Sequence, residues 1–201
     1  MRRNFIYLAS ASPRRQLLLR QIGVDFVPLP ADIEEEPFEA ESASDYVARL
    51  AAAKADAVWA AVTDRPRPVL AADTAVVVGG EILGKPQDAP AAMTMLEALS
   101  GRAHCVHTAV AVRYAERRES LTNTSEVRFR ATTQEERSAY CVSGEPFDKA
   151  GAYAIQGLGA VFIEHLCGSY SAVMGLPLFE TAALLKRFGV PAWFGRTREP
   201  A

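Results

Sequence analysis

One stretch, Leu8-Ala9-Ser10-Ala11-Ser12-Pro13-Arg14-Arg15, sets the class of fold. The apolar run from Phe5 to Ala9 predicts a short buried strand, and the residues from Gln16 to Ile22 predict a helix. A strand that passes directly into a helix is typical of α/β proteins. The helix N-terminus offers free backbone N–H groups and the positive end of the helix dipole, so the stretch predicts an anion site, most simply for phosphate.

The side chains of this stretch support an anion site. Arg14 and Arg15 carry planar guanidinium groups whose donors match phosphate oxygens, and Ser10 and Ser12 add hydroxyl donors. Two consecutive arginines at a helix start cannot both face the core, and cations are unfavourable beside the positive end of the dipole. The alternative is a solvated helix start in which Ser12 only caps the helix. The charge mismatch favours the binding site.

The composition is that of an ordinary globular protein. The 201 residues are 49% hydrophobic and 23% charged, with a net charge of −2, which allows one large domain or two small lobes. A near-neutral net charge argues against stable nucleic-acid binding, so an anion site must be a local cluster. Cys105, Cys141 and Cys167 are widely spaced and predict reduced thiols rather than a zinc site.

The sequence predicts a protein without a signal peptide or a membrane partner. Arg2 and Arg3 precede an apolar run of only about five residues, whereas the core of a signal peptide needs roughly 7–15. No run approaches the roughly 18 apolar residues of a membrane span. We therefore expect a cytoplasmic protein.

Apolar periodicity and turn residues predict alternating strands and helices along the rest of the chain. Helices are predicted from a cap at Ser44, with Ser42 as the less favoured alternative, to Val62, and from Asp88 to Leu99. Two more are predicted after the capping box Thr133-Gln134-Glu135-Glu136 and from Leu178 to Phe188. Strands are predicted over 24–29, 69–78 with an interruption at 73–74, 102–114, 120–131 and 160–166. This pattern predicts an α/β fold with an elongated mixed sheet, flanking helices and two lobes around a central cleft. We expect a single domain over residues 1–195 and a disordered tail over 196–201.

Asp73 and Thr74 separate two apolar runs that otherwise form one buried strand. Aspartate is a poor strand residue, and a buried unpaired carboxylate is costly. A metal ion, a lysine partner or catalytic use would resolve that cost, and the alternative is a carboxylate at a bulge. Asp73 is therefore a candidate catalytic residue, and Thr74 should point to the opposite face of an extended backbone.

The acidic loop Asp32-Ile33-Glu34-Glu35-Glu36 is a candidate metal site. Asp32 and Glu34 share a face in an extended loop, where two carboxylates repel each other unless a cation lies between them. Oxygen ligands of this kind suit Mg²⁺ or Mn²⁺. The simpler alternative is a solvated acidic loop.

Three lysines and one glutamine complete the candidate site. Lys54, Lys85 and Lys149 lie among small or apolar residues, where they are candidates for phosphate contacts or for structural ion pairs. Gln156 precedes Gly157 in a bend between apolar runs. Its amide can pair with a nucleobase edge or cap a backbone group.

Taken together, these motifs resemble the Maf family of nucleoside triphosphate pyrophosphatases. The stretches that carry the resemblance occur in family order between residue 5 and about residue 188: Leu8-Ala9-Ser10-Ala11-Ser12-Pro13-Arg14-Arg15, Ala72-Asp73-Thr74, Gly84-Lys85-Pro86, Leu99-Ser100-Gly101-Arg102, Asp148-Lys149-Ala150-Gly151-Ala152-Tyr153-Ala154-Ile155-Gln156-Gly157, Gly168-Ser169-Tyr170 and Val173-Met174-Gly175-Leu176-Pro177. The resemblance implies a cleft fold related to the inosine-triphosphatase type and hydrolysis between the α and β phosphates. The motif sequences at residues 148–151 and 155–157 resemble those of the dTTP/UTP pyrophosphatase branch.

The resemblance also implies roles for individual residues. Asp73 would be the proton acceptor and a metal ligand, with Glu34 in the metal site and Asp32 beside it. The remaining roles are base specificity for Arg14, Thr74 and Gln156, and phosphate binding for Ser10, Arg15, Lys54 and Lys85. Ser12 and Lys149 are expected to line the same site. The implied cofactor is Mg²⁺ or Mn²⁺, and the expected assembly is a homodimer.

Two alternatives stay open at the level of sequence. The chain resembles the 7-methyl-GTP branch less closely, but a substrate of that type is the nearest alternative. A non-catalytic nucleotide-binding regulator of cell division belongs to a different class, and a nucleotide panel with pyrophosphate detection separates the two classes.

Overall fold

The computed structural model describes residues 5–193 as a mixed sheet flanked by helices. Within this range the strands are β1 (Ile6–Leu8), β2 (Phe26–Pro28), β3 (Val69–Val78), β4 (Glu81–Leu83), β5 (Ala103–Tyr114), β6 (Arg117–Phe129) and β7 (Ile163–Cys167). The α-helices are α1 (Pro13–Gln21), α2 (Ala43–Ala61), α3 (Ala89–Leu99), α4 (Gln134–Val142), α5 (Tyr170–Val173) and α6 (Leu178–Arg187). Short 3₁₀ helices cover Glu145–Asp148, Ala150–Ala152 and Leu158–Phe162. The expected tail over 196–201 lies outside the described residues, and the boundary at 195 stays a prediction.

The sheet has the strand order β2-β1-β3-β5-β6-β7, with β4 paired to β3. β1 runs parallel to β2 and β3, whereas the β3–β5, β5–β6 and β6–β7 pairs are antiparallel. The long strands β3, β5 and β6 therefore form the centre of the molecule. This arrangement confirms the predicted α/β class with a mixed sheet.

One edge of β3 pairs with β1 at its beginning and with β4 at its end. β1 pairs with β3 as far as Leu70, and β4 begins its pairing with β3 at Val76. Within residues 5–193 no strand pairs with the intervening residues, 71–75, on this edge, although β5 pairs with them on the other edge. Asp73 and Thr74 thus lie beside the gap between β1 and β4.

The hydrophobic core is divided along the long strands, which gives the two predicted lobes. In the first lobe, one face of the sheet packs under α1 and α6 through Leu19, Leu70, Val110 and Leu184, among others. The other face of that lobe packs under α2 through Val47, Ala51, Ala71 and Ala109. The second lobe has a separate cluster that includes Val76, Leu96, Val106, Phe129, Tyr140 and Phe162.

Helix caps were predicted correctly at two starts and wrongly at one. Asp88 accepts from the Ala91 N–H, and Thr133 forms a reciprocal capping box with Glu136. The cap of α2 is Ser42, which accepts from the Asp45 N–H, and not Ser44. Ser42 has the extended backbone that a cap requires, whereas Ser44 is already in the first helical turn.

Two strand predictions also need correction. β3 continues through Asp73 and Thr74 without an interruption, because both residues find polar partners. Residues 160–162 belong to a 3₁₀ helix, and the strand starts only at Ile163. None of the helices within residues 5–193 has the length and apolarity that a membrane crossing demands.

Candidate active site

The gap beside β3 opens into a cleft of about 800 Å³ lined by residues of both lobes. Consecutive strand residues point to opposite faces, so Asp73 turns toward α2 and Thr74 toward α1 and α5. The cleft is lined by every residue predicted to act in catalysis or substrate binding: Ser10, Ser12, Arg14, Arg15, Lys54, Asp73, Thr74, Lys85, Lys149 and Gln156. The fold thus brings together residues that are far apart in the sequence.

Lys54 explains how an aspartate is accommodated in a buried strand. Its Nζ lies 2.6 Å from Asp73 Oδ1 and 2.5 Å from Glu35 Oε1, and both Lys54 and Asp73 are buried. Burial alone would raise the pKa of Glu35, but the hydrogen bond from Lys54 and the charges of Lys54, Lys85 and Arg15 hold it below its usual value. Glu35 therefore faces the cleft as a carboxylate.

The acidic loop presents Glu35 to the cleft rather than the two residues predicted as metal ligands. Asp32 and Glu34 are exposed and are not among the residues that line the cleft. The Tyr46 hydroxyl donates to the Glu35 carbonyl at 2.8 Å, which holds the loop against α2. With this loop position, the Glu35 side chain reaches Lys54, and the neighbouring acidic side chains face solvent.

The carboxylates of Asp73 and Glu35 are a donor set that suits a divalent cation. Both contact the same ammonium group, so their oxygens converge on one small volume. Within residues 5–193 no group of three or more histidine, cysteine, aspartate or glutamate side chains is arranged around a common point. A Mg²⁺ ion in proteins commonly takes one or two carboxylates together with phosphate oxygens and waters, and this pair fits that pattern.

Arg15 is a half-buried cation held by neutral acceptors. Its Nε donates to the Gly175 carbonyl at 2.8 Å, its Nη1 to Ser10 Oγ at 3.2 Å, and its Nη2 to Thr74 Oγ1 at 3.4 Å. Burial lowers the pKa of Arg15 from its usual value, but a guanidinium stays protonated at neutral pH. Because no carboxylate within residues 5–193 forms an ion pair with it, Arg15 offers its charge to an anion in the cleft.

The opposite wall of the cleft is the loop after α4. Arg14 Nη1 lies 3.1 Å from Asp148 Oδ2, which joins α1 to this loop across the mouth of the cleft. Lys149 Nζ donates to the Glu145 carbonyl at 2.6 Å and to the Asp148 carboxylate. Burial alone would raise the pKa of Asp148, but the hydrogen bonds and charges of Lys149 and Arg14 outweigh burial and hold this pKa below its usual value. The carboxyl therefore stays ionised.

Glu145 fixes the bend that carries Gln156, a role that the sequence reasoning missed. Its carboxylate accepts from the Leu158 and Gly159 N–H groups at 3.0 and 3.1 Å and from the Tyr140 hydroxyl at 2.7 Å. A Cβ at Gly157 would collide with this carboxylate, which explains the glycine there. The exposed side chain of Gln156 is thereby presented at the cleft.

Comparisons with known proteins agree with the family that the motifs resemble. The family model described as "Maf-like protein" matches residues 5–188. A protein of Methylobacillus flagellatus named dTTP/UTP pyrophosphatase is 55% identical over 185 residues, which cover 92% of this chain and 93% of that protein. Proteins with the same name from Bordetella parapertussis and Nitrosomonas europaea are 51% and 50% identical, covering 92% and 93% of this chain and 93% and 96% of their own lengths.

Two solved structures match part of this chain at low sequence identity. The Ham1 protein of Staphylococcus aureus superposes with a TM-score of 0.47 and 16% identity, covering 63% of this chain and 72% of its own. A HAM1 protein from Coxiella burnetii gives a TM-score of 0.41 and 22% identity, with coverage of 63% and 73%. The match of the family model over residues 5–188, together with relatives at 50–55% identity, shows that the chain belongs to the Maf-like protein family.

Proposed function

We propose that this chain is a nucleoside triphosphate pyrophosphatase that hydrolyses dTTP and UTP to the monophosphate and pyrophosphate. The observation that carries the proposal is that the Asp73–Lys54–Glu35 cluster and Arg15, which forms no ion pair with a carboxylate within residues 5–193, meet in one cleft. The names of relatives at 50–55% identity support the choice of substrate.

In this proposal the positive side chains of the cleft hold the triphosphate. Arg15, Lys85 and the N-terminus of α1 compensate the phosphate charge that develops as the bond to the leaving group breaks. Arg14 and Lys149 extend this surface along the loop wall. Ser10 and Ser12 add neutral hydroxyl groups beside the phosphates.

Asp73 orients a water molecule and accepts its proton during attack on the α-phosphorus. The bond from the α-phosphorus to the bridging oxygen breaks, and pyrophosphate leaves with the bonding electron pair. Lys54 holds the Asp73 carboxylate in position for this transfer, because its ammonium lies 2.6 Å from Asp73 Oδ1. Gln156 pairs with the edge of the base through its amide.

Asp73 and Glu35 are the residues that would hold the proposed Mg²⁺ or Mn²⁺. When bound, such an ion polarises phosphate oxygens and neutralises charge on the leaving pyrophosphate. Asp32 and Glu34 are exposed beside this pair, where they would contribute through charge alone.

The variant Asp73→Asn tests the proposed proton acceptor. Replacing it by Asn keeps the shape but removes the proton acceptor and one metal ligand, so kcat for UTP should fall by about 10²–10⁴-fold. Pyrophosphate release with Mn²⁺ measures this change. Asp88→Asn is the matched control, because asparagine also caps a helix well and Asp88 caps α3. Near-normal turnover by Asp73→Asn would refute the assignment.

A nucleotide panel tests the proposed substrates against the alternatives. Pyrophosphate release from dTTP and UTP should exceed release from 7-methyl-GTP. If the chain binds a nucleotide but releases pyrophosphate from none, a regulatory function is favoured.

The homodimer stays a prediction. Light scattering on the purified chain checks it.

A further inference from the structure

The turn at Gly168 and Ser169, between β7 and α5, lies directly on β6. Ser125 Oγ on β6 accepts from the Ser169 N–H at 2.9 Å. A Cβ at Gly168 would lie 2.5 Å from the same oxygen, so the turn packs on the strand with no space for a side chain. Ser125 is buried, and it is not among the residues that line the cleft. The turn is therefore attached to the sheet at a point outside the cleft.

A chain of hydrogen bonds fixes the direction of the Ser125 hydroxyl. Asn123 Nδ2 donates to Glu180 Oε1 at 2.7 Å, so the amide oxygen of Asn123 is the atom that faces Ser125. The Ser125 hydroxyl donates its one proton to Asn123 Oδ1 at 2.9 Å. A lone pair of Ser125 Oγ is thereby left for the Ser169 N–H, and no competing orientation of the hydroxyl uses the same partners.

The segment over 168–175 leads from this turn into the cleft. Ser169 Oγ accepts from the Ala172 N–H at 3.2 Å and caps α5. Thr108 on β5 donates to the Ala172 carbonyl at 2.8 Å, which holds the other end of this short helix on the sheet. Gly175 follows α5 and lines the cleft. One end of the segment is thus attached to β6, and the other end contributes to the site.

Gly175 is the residue of this segment that contacts Arg15. Its carbonyl accepts from Arg15 Nε at 2.8 Å, whereas the contacts of the guanidinium with Ser10 and Thr74 are 3.2 and 3.4 Å. The shortest contact of Arg15 therefore comes from the segment that Ser125 attaches to the sheet. A guanidinium binds phosphate oxygens through a planar fork of donors, so its orientation matters as well as its charge.

We propose that Ser125 is a positioning residue for the anion site: it holds the turn that leads to Gly175, and the Gly175 carbonyl in turn orients Arg15. The inference rests on the proposed function, in which Arg15 contacts the phosphates, and it assigns a role to the motif over 168–170. Ser125 acts on the ligand only through Arg15.

The variant that tests the inference is Ser125→Ala, which leaves the Ser169 N–H without its acceptor and lets the turn move away from β6. The probe is inorganic pyrophosphate with Mg²⁺, titrated by calorimetry. We expect its Kd to rise about tenfold, the loss typical of a weakened hydrogen bond to a charged group. The value of kcat/KM for UTP should fall by about the same factor.

Ser100→Ala is the matched control. Ser100 Oγ accepts from the Thr132 N–H at 2.8 Å, so this serine also attaches one segment to another, but at the end of α3 and outside the cleft lining. The control should lower the unfolding temperature, as Ser125→Ala does, and leave both the Kd for pyrophosphate and kcat unchanged. If Ser125→Ala does not fold, the same titration is made with Ser125→Cys, which keeps the shape and weakens the acceptor.

A double variant tests whether Ser125 acts through Arg15. Arg15→Lys keeps the positive charge, so binding of pyrophosphate stays measurable, but it removes the planar fork that Gly175 orients. In this background, adding Ser125→Ala should raise the Kd less than about twofold. An unchanged Kd in folded Ser125→Ala, or an equal rise in both backgrounds, would overturn the inference.

The titration keeps this test apart from that of the proposed function, because pyrophosphate binding needs no hydrolysis. Absence of pyrophosphate release from UTP by the unaltered protein refutes the proposed function, and the Kd values still decide the role of Ser125. Absence of pyrophosphate binding by the unaltered protein refutes the anion site and with it the inference.

Discussion

His104 is a buried histidine outside the cleft that has a clear consequence for stability. Its Nε2 lies 2.8 Å from the Tyr153 hydroxyl, and its ring packs edge-on against Phe129. Its Nδ1 is buried and has no hydrogen-bond partner among residues 5–193. Burial lowers the pKa of His104 from 6.5 to about 4. The folded protein therefore keeps this ring neutral at a pH where the unfolded chain protonates it.

This shift predicts how stability depends on pH. Below pH 6.5 the unfolded chain binds a proton that the folded protein does not, so the free energy of unfolding falls as the pH falls toward 4. The contribution is complete above pH 6.5, and about 3 kcal/mol is lost by pH 4. His104→Phe should flatten this part of a stability–pH curve measured by urea unfolding. Tyr153→Phe keeps the titrating ring and should keep the slope, so equal slopes in all three proteins would contradict the prediction.

The residues of the cleft differ in how readily the sequence reveals them. The sequence reveals Asp73, because a carboxylate between two apolar runs is out of place in a strand, and its partner in the structure is a lysine. The sequence does not single out Glu35 within the acidic loop, because the choice between adjacent residues of a loop depends on tertiary contacts such as the one with Lys54. Glu145 acts through the bend that carries Gln156, and nothing in its local sequence reveals that.

At the scale of secondary structure, Gly151 is the residue on which the loop wall of the cleft depends. It has a φ of +69°, and a Cβ there would lie 2.8 Å from Val76 Cγ1 on β3. Its N–H donates to the Gly84 carbonyl at 3.1 Å, which ties the segment before Lys85 to the loop that carries Lys149. Because the segment around Gly151 lies so close to β3, there is no room for a side chain at this position.

We predict that Gly151→Ala destabilises the protein by about 2–3 kcal/mol, from backbone strain plus the clash with Val76. Thermal and urea unfolding measure this loss. Gly144→Ala is the matched control, because Gly144 also has a positive φ, +78°, but open space around the added Cβ. It should cost only about 1 kcal/mol. Equal losses in the two variants would mean that contact with Val76 is unimportant.

Elements with strong local signals were predicted well, and elements that depend on tertiary contacts were not. α3 and α4 begin at their predicted caps because a cap is a contact within four residues. The register of β3 against β5 depends on two distant strands, so the pairing of Thr74 with Thr108 was beyond a local pattern. The segment 160–162 has the apolar composition of a strand, but it folds as a 3₁₀ helix packed through Phe162 into the second lobe.

The whole molecule consists of two lobes that share their central strands. β3 contributes Leu70 to the core of the first lobe and Val76 to that of the second, and β5 likewise contributes Val110 and Val106. Because β3 and β5 run through both cores, unfolding of one lobe removes strand partners from the other. We therefore expect the two lobes to unfold together in a single cooperative transition.

The shared strands determine how a ligand in the cleft changes stability. A nucleotide would contact α1 of the first lobe and the loop around Lys149 beside the second, so its binding energy should stabilise both lobes equally. An α,β-imido analogue of UTP with Mn²⁺, at 100 times its Kd, should raise the free energy of unfolding by about 2.7 kcal/mol. Hydrogen exchange measures the added protection separately for α2 and α3, which pack in different lobes. The analogue without Mn²⁺ is the control and should protect both helices less. Protection of one helix alone would show that the lobes open independently and that the continuous strands do not couple them.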